Sequence, residues 1–156
     1  MKPNAFDRLR CPFNYRAELE AARRVLNGRV MACAYQHWEL GYRRLAKKFN
    51  ISAGTLFAIA KEQTRRRLRR WGLGRNIHMR EDAFDDLLCP FDYKQELETA
   101  RNALNGKLIE CVSRRESGYG KLAKRFNVSA GWLFAMTRQH KKKQKPGPRG
   151  PANNSY

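Results

Sequence analysis

The residues best suited to chemistry in this chain are its cysteines, its histidines and its basic side chains. Cys11, Cys33, Cys89 and Cys111 lack the Cys-x-x-Cys spacing that is usual in zinc sites, and the three histidines are scattered. No spacing suggests a nucleophile paired with a base, so we expect no catalytic residue, no metal and no cofactor, and we do not expect an enzyme. We expect the cysteines to be reduced, buried thiols, with a disulfide inside each half of the chain as the alternative.

The basic side chains greatly outnumber the acidic ones. In 156 residues, 33 Lys and Arg face 14 Asp and Glu, for a formal net charge of +19. Such an excess favours a polyanionic partner, most often nucleic acid. Residues 40–80 and 117–156 hold 21 of the 33 basic residues and one acidic residue, Glu62. The chain has no apolar run that could span a bilayer and no apolar stretch of a secretion signal, which predicts a cytoplasmic, nucleoid-associated protein without a membrane partner.

The chain contains the same unit twice. FDRLRCPFNYRAELEAARRVLNG, starting at Phe6, matches FDDLLCPFDYKQELETARNALNG, starting at Phe84, and GYRRLAKKFNISAG later matches GYGKLAKRFNVSAG. Two copies favour two similar small domains, because a solenoid needs about three repeats or more. The predicted boundaries are 1–71 and 83–143 for the two domains, 72–82 for a linker, and 144–156 for a basic tail whose composition is typical of disorder.

Each unit has the residue pattern of helices, which predicts an all-α fold. Asn14 and Asp92 are predicted to cap the first helix of their unit. Asn27-Gly28 and Asn105-Gly106 are predicted to end that helix, with glycine in the left-handed conformation, and a separate second helix is expected after each.

Two more helices, joined by a very short turn, are predicted at the end of each unit. A small residue, Ala46 or Ala123, lies where the two helices meet, and Asn50 or Asn127, which tolerates the left-handed conformation, lies in the turn. Apolar residues flank the turn and fill the inward side of the second helix: Phe49, Ile51, Leu56 and Ile59 in the first copy, and Phe126, Val128, Leu133 and Met136 in the second.

Position by position, this stretch resembles the helix-turn-helix superfamily. Its Gly-Tyr-x-x-Leu-Ala opening looks like the DNA-binding parts of resolvase/invertase recombinases and of mariner-type transposases. The latter, like paired domains, carry two such units in one chain. The resemblance implies that the second helix of each pair enters the major groove of double-stranded DNA. The implied base-facing residues are Ser52, Ala53, Gly54, Thr55, Phe57, Ala58 and Lys61 in one unit, and Ser129, Ala130, Gly131, Trp132, Phe134, Ala135 and Arg138 in the other.

Phosphate contacts are expected from the first helix of each pair, which crosses the DNA backbone. The candidates are Arg43, Arg44, Lys47 and Lys48, with Lys121, Lys124 and Arg125 in the other unit. Arg75, in the linker, is a candidate for the minor groove. For Phe57 and Phe134 two alternatives stay open: packing on the first helix of their own pair, or contact with thymine methyls or another protein.

The sequence therefore predicts a double-stranded DNA-binding regulator, a transcriptional repressor in which one chain supplies two units. We expect either a monomer that imitates a dimer or a homodimer. Apart from Arg138, the base-facing residues lack the Arg, Asn and Gln that make bidentate base contacts in most readers of DNA sequence, so a low-specificity architectural or recombination-accessory protein is the alternative. An RNA-binding protein is a third interpretation, which the charge fits although the chain has no RNA-binding motif.

Overall fold

The fold, as given by a computed structural model that describes residues 5–69, 83–114 and 118–144, consists of helices and connecting turns, with no strand in those ranges. The all-α prediction is confirmed. The helices are α1 (Tyr15–Gln36), α2 (Gly41–Lys48), α3 (Ala53–Arg69), α4 (Tyr93–Ser113), α5 (Tyr119–Phe126) and α6 (Ala130–Gln144), with a short 3-10 turn at Trp38–Leu40. No helix within the described ranges combines the length and the apolar character that a membrane crossing needs. The predicted linker at 72–82 lies outside the described residues, as does the tail beyond Gln144.

The helix caps predicted for Asn14 and Asp92 are confirmed. The Oδ1 atom of Asn14 accepts a hydrogen bond of 3.1 Å from the Ala17 amide, and Oδ1 of Asp92 accepts one of 3.0 Å from the Gln95 amide. The hydrogen bond from the Gln95 amide is the main reason that the pKa of Asp92 is lowered, because it stabilises the charged carboxylate.

The predicted helix ends at Asn27-Gly28 and Asn105-Gly106 are wrong. α1 and α4 continue through these pairs as single helices of 22 and 21 residues. The Asn27 side chain accepts a hydrogen bond of 2.6 Å from the Tyr93 hydroxyl, and Asn105 accepts one of 2.6 Å from Tyr15. Because both asparagines are engaged inside the molecule and buried apolar residues precede and follow them, tertiary packing offsets the cost of about 1 kcal/mol for a mid-helix glycine.

The two tyrosines that bond these asparagines are themselves buried. Tyr15 and Tyr93 are each 6% exposed, and burial raises the pKa of both above the usual value because it disfavours the phenolate. Both hydroxyls therefore stay protonated at neutral pH and act as donors between the two long helices.

The four cysteines form two disulfide bonds, so the expectation of reduced thiols is wrong. Cys11 is bonded to Cys111 and Cys33 to Cys89, with Cα atoms 5.8 Å and 5.5 Å apart. Each bond joins one repeat to the other, so the alternative of a disulfide inside each unit is wrong as well. The sequence did not indicate this pairing, because the spacing of the cysteines is the same whether the bonds lie within each copy or between the copies.

The two repeats pack against each other around a shared core. α1 packs along α4, and the segment before each of these helices reaches the other repeat. Phe13 meets Phe126 with ring centroids 5.1 Å apart, and Phe91 meets Phe49 at 5.3 Å; all four rings are buried. The predicted division into two units follows the repeats in the sequence, while the packing crosses between them.

The two short turns have the predicted backbone. Asn50 and Asn127 both have φ of 55°, in the left-handed region, and Ala46 and Ala123 are buried where the helices meet. The apolar residues around each turn are buried or half-buried as expected: Phe49, Ile51, Leu56, Ile59, Phe126, Val128, Leu133 and Met136. We refer to α2 and α3 as the first helix pair and to α5 and α6 as the second helix pair.

Candidate nucleic-acid interface

Basic side chains line the first helix of each pair. All seven predicted phosphate-binding residues on α2 and α5 are exposed: Arg43, Arg44, Lys47, Lys48, Lys121, Lys124 and Arg125. The apolar residues between them face the core, and neither helix contains an acidic residue. Each helix therefore presents a one-sign surface that can neutralise DNA phosphates.

The outward side of α3 carries the predicted base-facing residues. Leu56 and Ile59 are buried, and the helical period leaves the remaining positions to solvent. Every predicted base-facing residue of the first helix pair is exposed: Ser52, Ala53, Gly54, Thr55, Phe57, Ala58 and Lys61.

α6 repeats this surface with one difference. Trp132 is half-buried, whereas the other predicted residues are exposed: Ser129, Ala130, Gly131, Phe134, Ala135 and Arg138. Trp132 packs on Tyr15 with ring centroids 4.9 Å apart. Its equivalent in the first helix pair, Thr55, instead bonds the Ser52 hydroxyl at 2.8 Å.

The N-terminus of each second helix is capped by its own serine. Ser52 Oγ accepts a hydrogen bond of 3.0 Å from the Thr55 amide, and Ser129 Oγ accepts one of 3.2 Å from the Trp132 amide. The other N–H groups of a first helical turn have no partner within the helix, and together with the helix dipole they favour a bound anion. The serines thus satisfy one N–H group at the start of each second helix.

Glycine follows the first residue of both second helices. A Cβ at Gly131 would meet no atom within 4 Å, and one at Gly54 would meet only Ser52 Oγ at 3.9 Å. Neither position has left-handed backbone, so the fold itself does not require glycine there. Glycine at an exposed helix start permits the close approach of a large ligand.

Phe57 and Phe134 contact the first helix of their own pair but stay largely exposed. Phe57 touches Tyr42 with ring centroids 6.4 Å apart, and Phe134 touches Tyr119 at 5.6 Å, both edge to face. Phe57 is 61% exposed and Phe134 51% exposed. The packing alternative is thus right about the contact, and more than half of each side chain remains available to a partner.

The two tyrosines were not predicted as part of the site. Tyr42 and Tyr119 lie in the first turn of α2 and α5, and each lies the same distance along the chain from its phenylalanine. That equal spacing in both copies is the sequence feature that could have indicated the aromatic pairs.

Two further basic residues border α6 without having been predicted. Arg16 from α1 and Arg101 from α4 line a groove of about 490 Å³ beside Ser129 and Trp132. They come from helices that the sequence assigns to the scaffold, so only the fold brings them to this edge. Arg75, the predicted minor-groove residue, lies outside the described residues.

The chain matches no family model, and no curated protein or solved structure shows significant similarity to it. The resemblance to the helix-turn-helix superfamily stays a prediction. What the arrangement offers chemically is an exposed cationic helix beside an exposed helix start with small and aromatic residues, twice in one molecule.

Proposed function

We propose that this protein binds double-stranded DNA through both helix pairs, each used as a helix-turn-helix unit, and acts as a transcriptional regulator. One observation supports it above the others. In both copies the predicted phosphate-binding and base-facing residues of the helix pair are exposed together, with the half-buried Trp132 as the exception, while the apolar residues on the inward side are buried or half-buried. A helical hairpin with only a structural role has no need of this repeated basic surface.

In this proposal α3 and α6 enter the major groove by their N-terminal ends, while α2 and α5 cross the phosphate backbone. The residues on α2 and α5 supply the salt-dependent part of the affinity, because each phosphate that they neutralise releases counterions. Lys61 and Arg138 are the longest hydrogen-bond donors on the outward sides and reach base edges, while Ala58 and Ala135 offer methyl contacts to thymine.

The test is DNA-binding affinity measured by fluorescence anisotropy over a series of salt concentrations. Lys47→Gln should reduce the steepness of the log affinity against log salt plot by about 0.9, the value for one lost phosphate contact. Lys107→Gln is the matched control, because it removes the same charge from a residue on α4 that is paired with Glu110. No duplex binding at moderate salt, or equal loss in both variants, would contradict the proposal.

A low-specificity architectural role is the second candidate, and one observation favours it. Among the predicted base-facing residues on α3 and α6, only Lys61 and Arg138 have side chains that make bidentate base contacts. Competition between a selected site and random duplex DNA separates the two functions, because an architectural protein gives an affinity ratio near one. Structured RNA in the same competition tests the third interpretation, which requires binding equal to or tighter than that of duplex DNA.

A further inference from the structure

Four kinds of contact between the two repeats occur in matched pairs. Cys11 of the first repeat bonds Cys111 of the second, and Cys89, the equivalent of Cys11, bonds Cys33, the equivalent of Cys111. The hydrogen bond from Tyr15 to Asn105 is returned by the bond from Tyr93 to Asn27, at the same distance of 2.6 Å.

The two helix pairs take part in the same exchange. Asn50 Nδ2, in the turn of the first pair, donates to Asp92 Oδ2 at 3.0 Å, and Asn127 Nδ2, in the turn of the second pair, donates to Asn14 Oδ1 at 3.4 Å. The contact between Phe13 and Phe126 is likewise mirrored by that between Phe91 and Phe49. In each of these contacts, a residue of one repeat and its equivalent in the other repeat exchange roles.

Such reciprocity defines the symmetry of the packing. When surface A of one unit meets surface B of a second, and B of the first meets A of the second, a half-turn relates the two units. A head-to-tail arrangement would use each contact once.

The long helices locate the axis of this half-turn. Tyr15 near the start of α1 faces Asn105, and Asn27 further along α1 faces Tyr93 at the start of α4, so the helices run antiparallel. The midpoint falls at Ala21 on α1 and at its equivalent, Thr99, on α4. The adjacent Ala22 and Ala100 are buried, and their small size permits close approach at this crossing.

Resting on the proposed DNA binding, we propose that the target is an inverted repeat with two unequal halves. A half-turn about an axis perpendicular to DNA exchanges the two strands, so the second helix pair meets its half-site in the reverse direction to the first. A chain of two units in the same orientation would instead bind a direct repeat.

The two halves of the DNA target should differ because the two helix pairs differ at predicted base-facing positions. Thr55 stands where the second pair has Trp132, and Lys61 where it has Arg138. The tryptophan packs on Tyr15 and is half-buried, whereas Thr55 is exposed, so the two positions present different surfaces to a partner. The bases beneath these positions should therefore differ between the halves, while those beneath the shared Ser-Ala-Gly sequence should agree.

Selection of bound sequences from a random duplex pool by the full chain tests the inference. The expected product is an imperfect inverted repeat. A direct repeat or a single half-site would overturn the inference and leave the proposed DNA binding intact. No enrichment, with random DNA bound as well as any selected sequence, would overturn sequence-specific binding itself and the inference with it.

Synthetic duplexes then test orientation directly. With one selected half-site placed twice at a fixed spacing, the inverted arrangement should bind at least about tenfold more tightly than the direct one, because only it engages both helix pairs at once. Equal affinity for the two arrangements would refute the inference.

Variants that make the pairs alike should change the selected site predictably. Trp132→Thr should shift it towards a perfect inverted repeat at the corresponding bases. Lys61→Arg, a surface change that leaves the Tyr15 contact intact, should do the same at its own position, and it keeps the test valid if the tryptophan variant fails to fold. Selected sites that stay as unequal as those of the unmodified protein in both variants would refute the assignment of the inequality to these residues.

Discussion

The first helix pair carries Arg43 and Thr55 where the second carries Gly120 and Trp132. The inward residues of the two pairs hardly differ: Leu45, Ala46, Phe49 and Leu56 are matched by identical residues in the second copy, and all eight are buried. At two other inward positions, Ile51 and Ile59 are matched by the apolar Val128 and Met136. The changes at Arg43 and Thr55 are larger, because they alter the charge or the size of the side chain.

The largest expected effect on stability comes from the phenylalanine rings of each repeat that pack against the helix pair of the other repeat. Phe13→Ala and Phe91→Ala should each lower the free energy of unfolding by about 3–5 kcal/mol, the usual cost of removing a buried phenylalanine. Since each ring supports the opposite helix pair, both variants should still unfold in one cooperative transition. Urea unfolding followed by circular dichroism and by tryptophan fluorescence measures both quantities.

Two separate transitions in either variant would show that the helix pairs are stabilised independently, against the shared core. Leu88→Ala is a control, because Leu88 is 87% exposed and its loss should leave the unfolding free energy nearly unchanged.

Removal of the disulfides should have the next largest effect. Replacing Cys11 and Cys111 by alanine, or Cys33 and Cys89 by alanine, should each cost about 2–4 kcal/mol, because each bond restricts the unfolded chain. The first double variant should lose slightly more, since its bond spans 100 residues and the other spans 56. The unfolding free energies of the two double variants, measured without a reducing agent, test this order. Four free thiols in the native protein would contradict both disulfide bonds.

Exchange of the one basic position that α2 and α5 do not share should alter DNA binding moderately. Arg43→Gln removes a phosphate contact from α2 and should lower the steepness of the salt dependence by about 0.9, whereas Gly120→Arg should raise it by a similar amount. A Cβ at Gly120 would meet no atom within 4 Å, so the larger side chain fits without rearrangement. If Arg43→Gln and Gly120→Arg had the same salt dependence as each other, α2 and α5 would not cross the DNA backbone in the same way.

The smallest expected effect concerns the two helix caps, which differ in charge. Hydrogen bonds, chiefly from the Gln95 amide, lower the pKa of folded Asp92, so its carboxylate contributes stability above the unfolded pKa of about 3.9 and loses it as pH falls through the folded pKa. Asp92→Asn imitates Asn14 and should remove this pH dependence. Urea midpoints between pH 3 and pH 7 should show a gap between the proteins that narrows on acidification, and a gap that widens would reverse the sign of the assignment.

Local features of the site could be predicted from the sequence. The period of apolar residues identified which side of α3 and α6 faces outward, and the left-handed asparagines at 50 and 127 follow from residue type and position. The predicted ends at Asn27-Gly28 and Asn105-Gly106 were wrong because hydrogen bonds from distant tyrosines hold each asparagine inside a longer helix.

The exchange between repeats could not be predicted, because a duplicated sequence fits a bond within a copy and a bond between copies equally well. Equivalent cysteines are the clearest case. Their positions in the sequence show which cysteines could pair. Only the packing of α1 against α4 brings Cys11 to Cys111.

The contacts between the two repeats can form only late in protein synthesis, after the second repeat has been made. Asn14 meets its partner Asn127 across 113 residues, an interval of about 6–20 s at the usual rates of translation. Phe13 and Tyr15 are synthesised before the residues of the second repeat that bury them. Phe49, in contrast, has already been made when Phe91 is synthesised. The nascent first half therefore exposes apolar rings during this interval, and its net positive charge opposes association between such chains.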